Sequence, residues 1–98
     1  MINALGGRIE ALAGTGGGAR YLTAELDNRG TIVVDGFLNS TNDLVNFWDG
    51  TMVNRGQFFS HFMYQFGGLT NEASGSIVFE WFVENNSPLI NHGHVDVL

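Results

Sequence analysis

An all-β fold is predicted by three observations. Apolar and polar residues alternate with a period of two from Tyr21 onward, β-branched and aromatic residues gather in short runs, and turn signals recur roughly every eight to twelve residues. Together they predict a small antiparallel β-sandwich or open barrel of about six short strands over residues 21–98, preceded by an extended or weakly helical N-terminal arm over residues 1–20.

In the arm, Ile2, Leu5, Ile9 and Leu12 fall at near-helical spacing. Gly6 and Gly7 in their midst each cost a helix about 1 kcal/mol relative to Ala, so the stripe is expected to order against something that covers it. Residues 13–20, AGTGGGAR, then read as a hinge, because successive glycines keep the backbone orientable. The same stretch fits the dinucleotide pattern G-x-G-x-x-A from Gly14 to Ala19, with Asp35 as the following acid. The context opposes that reading. Glu10 occupies an inward position of the strand that should precede the glycines, and no alternation of helices and strands follows Asp35.

Leu22, Ala24 and Leu26 alternate with Thr23, Glu25 and Asp27, and Asp27-Asn28-Arg29-Gly30 predicts a hairpin turn into a return strand over residues 31–38. Asp49-Gly50 predicts a second hairpin between residues 44–48 and 51–53. Asn54-Arg55-Gly56 repeats the earlier Asn-Arg-Gly, and because the flanks differ it reads as the same turn chemistry used twice rather than an internal repeat. Residues 57–66, QFFSHFMYQF, carry both a helical and a strand pattern. Their aromatic content favours a strand, and a helix there would make the fold α+β. Residues 76–84 are the clearest strand, with Ile77, Phe79, Trp81 and Val83 on one face, and a last strand is expected over residues 94–98.

At 98 residues the chain suits one domain with one core. Only 14% of residues are charged, Lys is absent, and ten Asn and fourteen Gly are expected to build a polar, turn-rich exterior. A surface with so few charges is poorly protected against self-association, which favours a protein covered by partners. A net charge of −6 with four scattered Arg leaves no basic patch, and so argues against nucleic-acid binding. The absence of Cys excludes disulfides, thiolate metal sites and cysteine nucleophiles. No apolar run reaches the ~18 residues of a membrane span, and the start lacks the basic and apolar regions of a secretory signal, so the chain is expected to be cytoplasmic in origin or already processed, with Met1 favouring the former.

Near the C-terminus, His92, His94 and Asp96 stand two apart and share one face of an extended strand, a donor set suited to a divalent transition metal. This H-x-H-x-D resembles part of the metallo-β-lactamase metal motif, matching over these residues only, with Val97 where the family continues with His. His92-Gly93-His94 is also similar to the H-x-H pair with which trimeric phage spike tips hold an iron ion by symmetry, and that resemblance implies a trimer. Glu80 and Glu84, about 13 Å apart on a strand at ~3.3 Å per residue, are too far apart for a glycosidase pair. Ser60 and His61 point to opposite faces of a strand, and so form no nucleophile and base.

The expected function is therefore that of a non-enzymatic structural protein of a larger assembly. A virion component is the favoured setting, either a phage capsid decoration protein or a spike subunit made in the host cytoplasm, with no cofactor and no contact with nucleic acid or membrane. Its partners would be copies of itself and a capsid protein. Ile2, Leu5, Ile9, Leu12, Trp48, Phe58, Phe62 and Trp81 are the expected interface residues. The alternative is a carbohydrate- or ligand-binding β-module with Trp48, Asp49 and Trp81 on its binding face.

Overall fold

The computed structural model describes residues 1–12 and 20–98, and these contain strands and no helix. In chain order the strands are β1 (Ile2–Asn3), β2 (Arg8–Ala11), β3 (Arg20–Leu22), β4 (Leu26–Asn28), β5 (Thr31–Val34), β6 (Phe37–Asn46), β7 (Thr51–Asn54), β8 (Gln57–Gln65), β9 (Gly68–Asn71), β10 (Ser76–Asn85), β11 (Leu89–Asn91) and β12 (His94–Val97). Every pairing among them is parallel. The fold is a parallel β-solenoid of about four turns, and the expected antiparallel sandwich or barrel of six strands is corrected accordingly.

One sheet runs β1-β4-β6-β8-β10-β12, with β3 also on β6, and the other runs β11-β9-β7-β5-β2. The chain alternates between them, so each strand pairs with the strand one coil away and not with its sequence neighbour. The turn signals are genuine but turn a corner instead of reversing the chain. At Asp49-Gly50 the Gly50 N–H closes a turn on the Phe47 carbonyl at 2.7 Å, and Thr51 then enters the other sheet between Thr31 and Gly68.

The long strands bend midway. In β8 inward residues alternate through Phe58 and Ser60, His61 and Phe62 both face outward, and alternation resumes with Met63 and Gln65 inside. β10 breaks at the same place, since Phe79 is buried and Trp81 is 57% exposed, so the face expected to carry Ile77, Phe79 and Trp81 together is divided. In β6 the register slips between Ser40 and Asp43, a bulge that bends the strand, and β3 and β4 pair separately with its two halves. The larger sheet is thus folded into two walls, and the smaller sheet supplies a third.

The interior consists of residue columns, one member per coil. Ile9, Ile32, Met52, Leu69 and Leu89 stack along the smaller sheet, and Leu38, Phe58 and Ile77 along the larger, where Phe58 packs edge-on to Phe79 at 6.4 Å. Residues 2–11, expected as part of an outlying arm, form β1 and β2 within the two sheets. The glycine hinge expected at 13–19 lies outside the described residues, as does its dinucleotide reading.

Two further columns are polar and, except at Asn91, buried, contrary to the expectation that asparagine builds the exterior. In the first, the Asn3 amide donates to Asn28 at 2.8 Å, Asn28 to Asn46 at 2.8 Å, and Asn46 to Gln65 at 2.9 Å. In the second, Asn54 donates to Asn71 and Asn71 to Asn91, each at 2.8 Å. A side-chain amide has both a donor and an acceptor, and parallel strands repeat about every 4.8 Å, so identical amides in adjacent coils satisfy one another. Each also ties down a corner. The Asn54 amide donates to Gly56 O at 3.2 Å and the Gln65 amide to Gly67 O at 2.6 Å. The Asn-Arg-Gly pair, 26 residues apart, is the same corner chemistry used in two different ladders, and the repeat that the structure shows, of 17 to 20 residues from coil to coil, is a different one.

Candidate functional site

The outer surface of the bend in β8 and β10 gathers the most chemically varied exposed side chains. His61 and Phe62 turn outward together because the strand changes direction there, and Glu80 and Trp81 do the same one coil later. The His61 Nδ1 lies 2.6 Å from Glu80 Oε2, an ion pair when the ring is protonated, and both side chains remain partly exposed. Phe62 and Trp81 stack with centroids 6.4 Å apart and planes 20° apart, and His61 stands edge-on to Phe62 at 4.3 Å. The result is a small aromatic platform with a carboxylate beside it. Such a surface can hold a ring with a weakly polar face and hydroxyl groups at its edge.

Trp48 and Asp49, expected to join Trp81 in one binding face, stand at the other end of this wall, on the corner that follows Asn46. Trp48 is 76% exposed there, and Asp49 faces Arg29, whose guanidinium reaches it at 3.7 Å while lying 4.1 Å over the Phe47 ring. The face is thus divided into two separate places. At the second corner Arg55 grips Asp35 through Nε at 2.6 Å and Nη2 at 3.2 Å. That hydrogen bonding holds the Asp35 carboxyl below its ordinary range and raises the Arg55 guanidinium, with the opposite charges adding to both effects.

Of the candidate metal ligands, His94 Nε2 and Asp96 Oδ2 lie 2.8 Å apart on β12, whereas His92 stands before Gly93 on the preceding corner. Among the described residues no group of three or more His, Cys, Asp or Glu side chains is placed to hold a metal ion. Ile2, Leu5 and Leu12 are exposed on the first coil, while Ile9 packs against the core and Phe58 lies within it. Beside Phe58, a shallow apolar groove of about 130 Å³ is lined by Phe37, Gln57, Phe59, Ser76 and Val78.

The ends of the coil are the other functional feature. Among the described residues, β1, β2 and β3 have no further strand beyond them at one end, and at the other the Trp81 half of β10 together with β11 and β12 is likewise unpaired on its outer side. The His61–Glu80 pair and these open ends were not found from the sequence, because both depend on which residues share a column. The signal was present: Phe62 and Trp81 are 19 residues apart, as are Asn46 and Gln65.

Comparison with protein-family models, curated proteins and solved structures gives no match to this chain. The expectation of a virion component has no support from the fold or from these comparisons.

Proposed function

We propose that the chain is a non-enzymatic structural module that works in a larger assembly as a rigid stacking element. The observation that carries this is the pair of amide ladders, Asn3 to Gln65 and Asn54 to Asn91, buried except at Asn91 and running along the coil between continuous parallel sheets. Such an interior binds one coil to the next, and its rigidity suits a protein that carries load or spacing rather than one that closes on a substrate. The open strand edges and a surface sparing in charge favour association. Sedimentation velocity of the purified chain across a hundredfold concentration range tests this. Species larger than the monomer are expected, and a monomer throughout would remove the assembly reading.

A second reading rests on the Phe62–Trp81 stack beside Glu80: binding of a carbohydrate through ring stacking and a carboxylate acceptor. Titration with a panel of soluble oligosaccharides, followed by tryptophan fluorescence, tests it against Trp81→Ala. A saccharide that perturbs the native chain and not the variant would support it, and no response from any saccharide would sink it.

A further inference from the structure

We propose that copies of this chain associate head to tail, the last coil of one copy adding its open edge, in parallel, to the first coil of the next. The inference rests on the assembly reading above and specifies its partner and polarity.

The ladders have a direction. Asn3, Asn28 and Asn46 each donate the amide N–H toward the later coil, and Asn28 and Asn46 accept from the earlier one. Asn3 is first in its column, so its Oδ1 receives no donor from a coil beneath it, and at the far end Asn85 stands in register above Gln65. In the second ladder Asn91 Oδ1 accepts from Asn71 and from the Gly93 N–H, which leaves its amide donor free at the last coil. In the first column Asn85 thus brings an amide donor to one end and Asn3 an acceptor to the other, while the Asn91 column begins at Ala11. A second copy placed head to tail sets Asn85 beneath Asn3, whereas two like ends would bring donor to donor.

Charge and apolar surface are divided in the same sense. Residues 80–98 carry Glu80, Glu84 and Asp96 and no Lys or Arg, while residues 1–22 carry Arg8 and Arg20 against Glu10 alone. Two last coils would meet acid to acid, whereas a first coil, on which Arg8 already pairs with Glu10, sets no such excess of acid against a last coil. Continuing the columns by one coil sets Leu89, the last of its stack, against Ile9, the first, and brings Ile90 over Glu10 and Glu84 over Ile2. Ile2 and Ile90 are 69% and 51% exposed in the single chain. Such a contact is heterologous, and repeated without closing it yields a filament.

The test blocks one end at a time. Ile2→Glu places a carboxylate opposite the neighbour's Glu84, and Ile90→Glu places one opposite the neighbour's Glu10. Both positions are exposed, so the variants should keep the native far-UV circular dichroism and melting temperature, which are checked first. The native chain should show a mass that rises with concentration, each variant alone should be monomeric, and the two mixed should form a one-to-one dimer through their unblocked ends. Dimers formed by either variant alone would overturn the head-to-tail polarity while leaving the assembly reading standing. A native chain that stays monomeric would overturn both.

Discussion

Asn28 and Asn46 are 18 residues apart in the chain, yet the amide of the first donates to the carbonyl oxygen of the second at 2.8 Å with both side chains fully buried. Asn46 passes the bond on to Gln65 and also donates to the Gly68 carbonyl at 2.9 Å, so it is a relay with a partner on each side. Replacing it by Ala strands a donor on Asn28 and an acceptor on Gln65. Asn46→Ala should lower stability by about 2–4 kcal/mol, read as a shift in the urea midpoint, because each unpaired buried group costs roughly 1–3 kcal/mol. Asn3→Ala, at the end of the same ladder, should cost less, since on the ladder it strands one group, the Asn28 acceptor, where Asn46→Ala strands two.

Not every buried polar group is so well placed. Ser40 and Ser60 sit in register in adjacent coils, both fully buried, and neither hydroxyl has a hydrogen-bond partner. Ser60→Ala removes an unpaired hydroxyl and leaves almost the same volume. It should be neutral or stabilising by up to about 1 kcal/mol in thermal unfolding, and a clear loss of stability would mean the hydroxyl contributes to the core.

The adjacent glycines Gly67 and Gly68 should respond in opposite ways. A Cβ at Gly67 would overlap the backbone carbonyl oxygens of Phe47 and Gly50, whereas one at Gly68 meets its nearest neighbours only at ordinary contact distances of 3.9 and 4.0 Å. Gly67→Ala should therefore displace the corner and cost about 1–3 kcal/mol, the usual scale of overpacking, while Gly68→Ala should stay within about 0.5 kcal/mol of the native chain. Paired denaturation curves compare the two directly.

The Asp35–Arg55 contact predicts a pH dependence. Hydrogen bonding from Arg55 lowers the folded-state pKa of Asp35, so its contribution is fully present above the ordinary carboxylate value and is lost as pH falls through the lowered one. The difference in melting temperature between the native chain and Asp35→Asn should therefore be present at pH 6 and shrink as the pH is taken down through and below the ordinary carboxylate range. Because the pair lies at the surface it should be small and weaken further in high salt. A difference that persisted unchanged at pH 2 would mean that the carboxylate's charge is not its source.

Much of the local structure was legible in the sequence. Residues 57–66, balanced between helix and strand, resolve as β8 on their aromatic content, and the Gly-containing turns at Gly30, Gly50 and Gly56 all fall at chain corners. The direction of the next strand was not legible. An Asp-Gly turn specifies a local bend, and whether the chain then returns beside itself or crosses to another sheet depends on what stacks a coil later. The asparagines were misplaced for a related reason. A lone buried amide is costly, so composition assigns Asn to the surface, and only a partner about 4.8 Å along a parallel stack reverses that preference.

The candidate site divides the same way. Trp81, Phe62 and Glu80 were singled out as residue types, but strict alternation put Trp81 on the same face as Phe79, and it is the bend at Glu80–Trp81 that parts the two, with Phe79 buried and Trp81 outward. His61 could be read as a histidine among aromatic residues, but its pairing with Glu80 spans 19 residues and requires the register. What the sequence by itself determined is that this chain is all β-structure, turn-rich and weakly charged, since alternation, turn chemistry and composition act within a few residues. What only the tertiary structure decided is that the strands run parallel in a coil, that amides form its inner ladders and that its two ends differ, because each of these depends on hydrogen bonds between residues one full coil apart.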